Sequence, residues 1–98
     1  MNEKVESIIL KIQSIVADQM EGDYKLFLFG SRANGKSIER SDIDIAIMTN
    51  RKVDPSILAE IRENIENIST LLKIDFVDLS TVDADFRNHV LETGNRLD

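Results

Sequence analysis

The chain has 98 residues, which predicts one domain over residues 1–98 and leaves too little chain for a two-domain enzyme. Its 42% hydrophobic and 31% charged residues are typical of a folded α/β or α-rich globule, and they exclude a disordered or collagen-like chain. The lack of cysteine and the single histidine exclude disulfides and thiolate or imidazole-rich zinc sites, so a metal must bind oxygen ligands, and the net charge of −6 argues against direct nucleic-acid binding.

The sequence shows no sign of a targeting or membrane segment. Its apolar runs contain no more than five residues, and its first residues do not place a basic region ahead of an apolar stretch. We therefore expect a cytoplasmic protein without a signal peptide or a membrane span.

The first two predicted elements are a helix and a strand. Apolar residues recur at spacings of three and four over residues 3–20, which predicts an amphipathic helix that ends before Gly22. Residues 24–29 are aromatic-rich and mostly apolar, which predicts a strand buried on both faces and ended by Gly30. The polar segment 31–41 that follows has room for about two turns of helix.

The second predicted strand carries two acids on one face. Within residues 42–49, Asp42 and Asp44 alternate with isoleucines, so the acids and the isoleucines are expected on opposite faces. Carboxylates at this spacing start about 7 Å apart along the strand and can reach shared cations.

A helix, a strand and a final helix complete the predicted chain. Asp54 followed by Pro55 predicts a helix start, because aspartate caps free amides and proline is tolerated in the first turn, and the apolar stripe continues to Leu72. Residues 73–79 are predicted to form a third strand and residues 83–92 a last helix. The expected order is therefore α-β-α-β-α-β-α.

Residues 30–37, GSRANGKS, match the phosphate-loop pattern G-x-x-x-x-G-K-S and follow a predicted strand. A phosphate loop leads into a full helix that crosses over to a parallel strand, and such a crossover needs roughly ten residues or more. Only residues 38–41 separate the motif from the next strand, so the context disfavours this interpretation.

A different phosphate site is predicted at Gly30-Ser31, where a buried strand ends and free amides of a following helical turn can bind an anion. An isolated pair such as Asp42 and Asp44 is usually a solvated strand face. We call the predicted phosphate site at Gly30-Ser31 the phosphate corner. Next to it, the same pair of acids predicts cations held by carboxylates. Nucleotidyl transfer requires this combination, because the cations offset the charge of the leaving pyrophosphate.

Together, Gly30-Ser31, ten intervening residues and Asp42-Ile43-Asp44 resemble the signature of the DNA polymerase β-type nucleotidyltransferase superfamily. More narrowly, the chain resembles the minimal nucleotidyltransferases (MNT) encoded beside a HEPN-domain partner. The resemblance implies a palm-like α/β fold, a small mixed β-sheet with flanking helices. It also implies ATP as substrate with two Mg²⁺ ions, which Mn²⁺ can replace. The implied role is an antitoxin that transfers AMP to a tyrosine hydroxyl of a HEPN toxin, an RNase.

The resemblance makes Asp42 and Asp44 catalytic metal ligands and requires a third carboxylate on the third strand. Asp75 and Asp78 both stand between apolar residues, and alternation puts them on opposite faces of that strand. Relatives of this size place the catalytic acid first in such a pair, which favours Asp75. Asp78 is then expected at the strand end or on the surface.

Four residues are predicted to bind the nucleotide phosphates. Gly30 and Ser31 supply amides and a hydroxyl, and Arg32 is placed to clamp phosphate oxygens. Lys36 is either a further phosphate contact or a solvated loop charge.

The leading prediction for function is a metal-dependent adenylyltransferase acting on a partner toxin, in a hetero-oligomer with it. We expect no further helical domain to seat a small acceptor in 98 residues, which favours a protein acceptor. Two alternatives remain: a non-catalytic nucleotide-binding or toxin-binding module, and the nucleotide-binding subunit of a two-chain small-molecule nucleotidyltransferase.

Overall fold

The computed structural model describes residues 3–97. The elements in chain order are α1 (Glu3–Gln19), β1 (Lys25–Phe29), a 3₁₀ turn (Gly30–Arg32), β2 (Ile43–Met48), α2 (Pro55–Glu66), β3 (Ile74–Asp78), α3 (Ala84–Thr93) and β4 (Asn95–Arg96). The α/β class and the order of the seven predicted elements are confirmed, with a 3₁₀ turn as the second helical element. None of the helices in this range is long and apolar enough to cross a membrane.

The four strands form one mixed sheet in the order β3-β2-β1-β4. Strand β1 pairs antiparallel with β2 and β4, whereas β2 and β3 are parallel and are joined through α2. The connection that carries the glycine motif therefore links two antiparallel strands. A phosphate loop joins a strand to a crossover helix, so the topology excludes that interpretation of residues 30–37.

The two faces of the sheet pack against different helices. Ile43, Ile45 and Ile47 are fully buried in a core shared with α1 and α2, as alternation along β2 predicts. On the opposite face, Ala46 packs in a smaller cluster with Val90 of α3. Strand β2 is thus buried on both faces along its centre, and Asp44 lies near its start on the side of the smaller cluster, with Asp42 just before the strand.

Helix α2 ends at Glu66, so its predicted extension to Leu72 is wrong. The N–H of Ile68 donates to the carbonyl of Ile65 (3.0 Å), which tightens the last turn, and the N–H of Leu72 donates to Thr70 Oγ1 (3.1 Å). Ile68 and Leu72 still pack against the core, but from an irregular segment. The apolar spacing beyond Glu66 therefore reflects burial of these side chains and not a continued helix.

The segment after β1 also differs from the two helical turns predicted for residues 31–41. Only the 3₁₀ turn forms, and Gly35 then takes a positive φ of 77° that ends any helix. Side chains satisfy backbone donors of the remaining loop: Asn34 Oδ1 accepts from the N–H of Lys36 (3.0 Å), and Ser41 Oγ accepts from the N–H of Ile38 (2.9 Å). Such local bonds compete with helix formation.

Candidate active site

Three carboxylates meet at one end of the sheet. Asp44 in β2 is the direct neighbour of Asp75 in β3, and Asp42 comes one residue before β2. One oxygen from each carboxylate lies within 4.8 Å of the others. The structure therefore brings together the three residues predicted as catalytic metal ligands, while their role as ligands stays a prediction.

The cluster carries more negative charge than its surroundings balance. Burial, followed by the hydrogen bond and charge of Asp75 and the charge of Asp42, raises the pKa of Asp44 from 3.8 to about 6. Lys73 opposes the shift, but its Nζ lies 3.7 Å from Asp75 Oδ1 in an exposed ion pair, which contributes little. Three carboxylates offer only hard oxygen donors, so the site fits a divalent cation such as Mg²⁺ or Mn²⁺.

Gly30 brings the predicted phosphate corner against this cluster. Its φ is +75°, and a β-carbon there would overlap Oδ2 of Asp44 and lie 3.3 Å from Asp44 Cγ. Only glycine allows both the backbone conformation and this close approach. Ser31 follows as a half-buried residue in the 3₁₀ turn. The corner and the carboxylates therefore form one continuous site.

The two predicted cationic residues differ in their surroundings. The guanidinium of Arg32 donates to backbone carbonyls of the loop that leads to Asp42, at 2.8 to 3.1 Å. Lys36 is exposed on the same loop, and its N–H donates to the carbonyl of Ser31 (3.1 Å). A contact of either side chain with phosphate stays a prediction.

Asp78 is not on the surface, which corrects one of its two expected locations. It ends β3, as expected, but is only 1% exposed. Its carboxylate accepts hydrogen bonds from the N–H of Val53 (3.2 Å) and from the N–H and Oγ of Ser80 (2.9 and 2.8 Å). These donors explain how a buried acid is tolerated, and its place outside the cluster supports Asp75 as the third carboxylate.

An aromatic pair beside the cluster was not singled out from the sequence. Phe29 is the cross-strand partner of Asp44, and its ring meets Phe86 of α3 edge to face with centroids 5.8 Å apart. Because paired residues of neighbouring strands share a face, Phe29 borders the acids. Alternation along β1 could have placed it there, but only tertiary structure brings Phe86 to it.

The family follows from comparison with known proteins. Residues 10–97 match the model of the family described as polymerase beta, nucleotidyltransferase. The chain belongs to this family. It is also similar to the probable protein adenylyltransferase MntA of Haemophilus influenzae, with 30% identity over 83 residues that cover 85% of this chain and 73% of the relative.

Solved structures show the same fold. A chain of a toxin-antitoxin crystal structure with AMP-PNP has a TM-score of 0.71 and 25% identity over 89% of this chain and 69% of its own. A chain from the tri-AMPylated Shewanella oneidensis HEPN toxin in complex with MNT antitoxin has a TM-score of 0.68 and 22% identity over 93% of this chain and 69% of its own. The predicted resemblance and the mixed-sheet nucleotidyltransferase fold are confirmed.

Proposed function

We propose that this chain is a protein adenylyltransferase that moves AMP from ATP to a tyrosine hydroxyl of a HEPN toxin and so acts as its antitoxin. The observation that carries the proposal is the cluster of Asp42, Asp44 and Asp75 in contact with the Gly30 corner. The similar MntA is a probable protein adenylyltransferase, and a structural neighbour contains a tri-AMPylated HEPN toxin with its MNT antitoxin, which supports both the reaction and the partner.

Each part of the site has a task in this reaction. Asp42, Asp44 and Asp75 would hold divalent cations, proposed as two Mg²⁺ ions that Mn²⁺ can replace, and these would supply positive charge against the triphosphate. The amides of Gly30 and Ser31 hold phosphate oxygens. The tyrosine oxygen forms a bond to the α-phosphorus as the bond to pyrophosphate breaks, and the hydroxyl proton passes to Asp75.

The acceptor comes from a second polypeptide in this proposal. The described residues form a single small sheet with three helices, and the acidic cluster lies at the end of the sheet with Asp42 exposed. A tyrosine presented by a bound toxin can therefore reach the carboxylates.

The decisive experiment incubates the purified chain and toxin with ATP and Mg²⁺ and follows the toxin by intact mass spectrometry. Each transferred AMP adds roughly 329 Da, with one pyrophosphate released per group. The Asp42→Asn, Asp44→Asn double variant should give no shift. The matched control, Asp18→Asn with Asp23→Asn, removes two exposed acids away from the cluster and should modify the toxin normally.

Two results would contradict the proposal. If wild type and the Asp42→Asn, Asp44→Asn variant both silence the toxin without a mass shift, the chain is a binding module. If AMP appears only on a small hydroxyl compound when the helical partner is present, the chain is the nucleotide-binding subunit of a two-chain enzyme.

A further inference from the structure

The three carboxylates are not held in the same way. Asp44 and Asp75 lie inside neighbouring strands, where the parallel ladder fixes the backbone on both sides of each residue. Asp42 precedes the ladder, which begins with the N–H of Ile43 donating to the carbonyl of Lys73 (2.9 Å). The backbone on the N-terminal side of Asp42 lies outside the ladder, in a loop whose residues 34–40 are exposed.

Arg32 provides a support at that point. Its Nε and Nη2 donate to the carbonyl oxygen of Ser41 at 3.0 and 2.8 Å, and Nη2 also donates to the carbonyl oxygen of Glu39 at 3.1 Å. The Ser41 carbonyl belongs to the peptide group that joins Ser41 to Asp42. The guanidinium therefore fixes the peptide plane immediately before the first carboxylate.

We propose that Arg32 is a positioning residue that holds Asp42 in the geometry needed for cation binding, rather than a phosphate clamp. This inference deepens the proposed function and rests on it. Arg32 ends the 3₁₀ turn that begins at Gly30, so one side chain connects the phosphate corner to the first metal ligand. The planar fork of arginine spans two carbonyls at once, which a lysine ammonium cannot reproduce.

The test measures Mn²⁺ binding by calorimetry without nucleotide, so that phosphate contacts play no part. Arg32→Ala and Arg32→Lys should both weaken Mn²⁺ binding by about 10- to 100-fold, the range found when support of a metal ligand is removed. The matched control is Arg40→Ala, which removes the same type of side chain from an exposed position two residues before Asp42. Its Mn²⁺ affinity should equal that of wild type.

Hydrogen exchange of residues 38–42 in the metal-free protein gives a second readout. Exchange should accelerate in Arg32→Ala and Arg32→Lys but not in Arg40→Ala, with circular dichroism confirming that all three fold. Should Arg32→Ala not fold, Arg32→Lys, which keeps the charge and most of the stem, still decides the question. This readout tests the inference even if toxin modification, and with it the proposed function, fails.

One pattern would overturn the inference. If both Arg32 variants keep wild-type Mn²⁺ affinity and exchange, Arg32 does not position Asp42. A different result would assign Arg32 to the phosphates instead. In that case Arg32→Ala would bind ATP more weakly, Arg32→Lys would restore ATP binding, and Mn²⁺ affinity and hydrogen exchange would be unchanged in both variants.

Discussion

Asp44 occupies the most crowded position in the site, with Asp75 on the neighbouring strand and the backbone of Gly30 against its carboxylate. Its pKa is raised to about 6 by burial and then by Asp75 and Asp42, because each of these disfavours the charged form. A bound cation relieves the same repulsion that a proton relieves. Without a cation, the site therefore carries unbalanced negative charge near neutral pH.

The raised pKa of Asp44 predicts how pH affects the metal-free protein. The folded pKa of about 6 exceeds the ordinary aspartate pKa of 3.8, so the folded state binds the proton more tightly than the unfolded state. The destabilising effect of Asp44 is therefore present above pH 6 and fades as pH falls toward 3.8. Urea unfolding in EDTA should show Asp44→Asn stabilised relative to wild type at pH 7.5, by less than about 3 kcal/mol because solvent screens the group. The difference should shrink by pH 5; a difference that does not vary with pH would contradict the assignment.

Gly30 allows a matched comparison with Gly22. Both have positive φ, 75° and 81°, so replacement by alanine should cost each variant about 1–2 kcal/mol of backbone strain. A β-carbon at Gly22 meets nothing within 4 Å, whereas one at Gly30 overlaps the Asp44 carboxylate. Thermal unfolding should show the larger loss for Gly30→Ala, and calorimetry should show Mn²⁺ binding lost in Gly30→Ala alone. Normal Mn²⁺ binding by Gly30→Ala would show that the corner tolerates a side chain.

Strand β3 carries two acids whose surroundings differ. Alternation points Asp75 toward Asp44 and leaves Asp78 buried at the end of the strand, where Val53 and Ser80 donate to it. The same residue type therefore serves as a candidate ligand at one position and as a structural acceptor three residues later.

This contrast predicts separable effects for two identical substitutions. Asp75→Asn should fold normally and lose Mn²⁺ binding and AMP transfer, because it removes a proposed ligand from a half-exposed cluster. Asp78→Asn should keep Mn²⁺ binding but lose about 1–3 kcal/mol of unfolding free energy, because a buried carboxylate with several donors is replaced by an amide. Denaturant unfolding and calorimetry on both variants check this, and the reverse outcome would move the third carboxylate to Asp78.

The sequence predicts a helix or strand where the spacing of its apolar residues matches the spacing of its buried positions. The shared side of Asp42 and Asp44 at the start of β2 follows from alternation alone, and the family signature adds Asp75. Strand β4 has only two residues, too few for any period, and is held by the N–H of Leu97 donating to the carbonyl of Leu26 (2.9 Å).

The contacts of Arg32 could not be predicted from the spacing of residues. They depend on the conformation of a loop, which Gly35 and short polar side chains set.

The position of the site follows from the topology of the sheet. Strand β1 ends where β2 and β3 begin, because β1 is antiparallel to β2 and β2 is parallel to β3. The Gly30 turn and the acids of both following strands therefore meet at one end of the sheet. The buried isoleucines of β2 on the opposite face anchor that end against α1 and α2.

This arrangement predicts that divalent cations stabilise the entire fold, because unfolding separates the three carboxylates and abolishes the site. At Mn²⁺ about ten times its dissociation constant, the gain is roughly 1.4 kcal/mol. For a domain of this size that gain raises Tm by about 6–11 °C. The Asp42→Asn, Asp44→Asn variant should remain folded and lose the rise.

The Asp18→Asn, Asp23→Asn control should keep the rise in Tm, since it lowers the negative charge equally without touching the cluster. Equal Tm values for wild type in Mn²⁺ and in EDTA would remove the cluster as a cation site. The proposed ligands come from two strands and from the loop before one of them. A rise in Tm that the control shows and the site variant lacks would therefore report cation binding to the assembled end of the sheet. A general effect of ionic strength on an acidic chain would instead raise Tm in both variants alike.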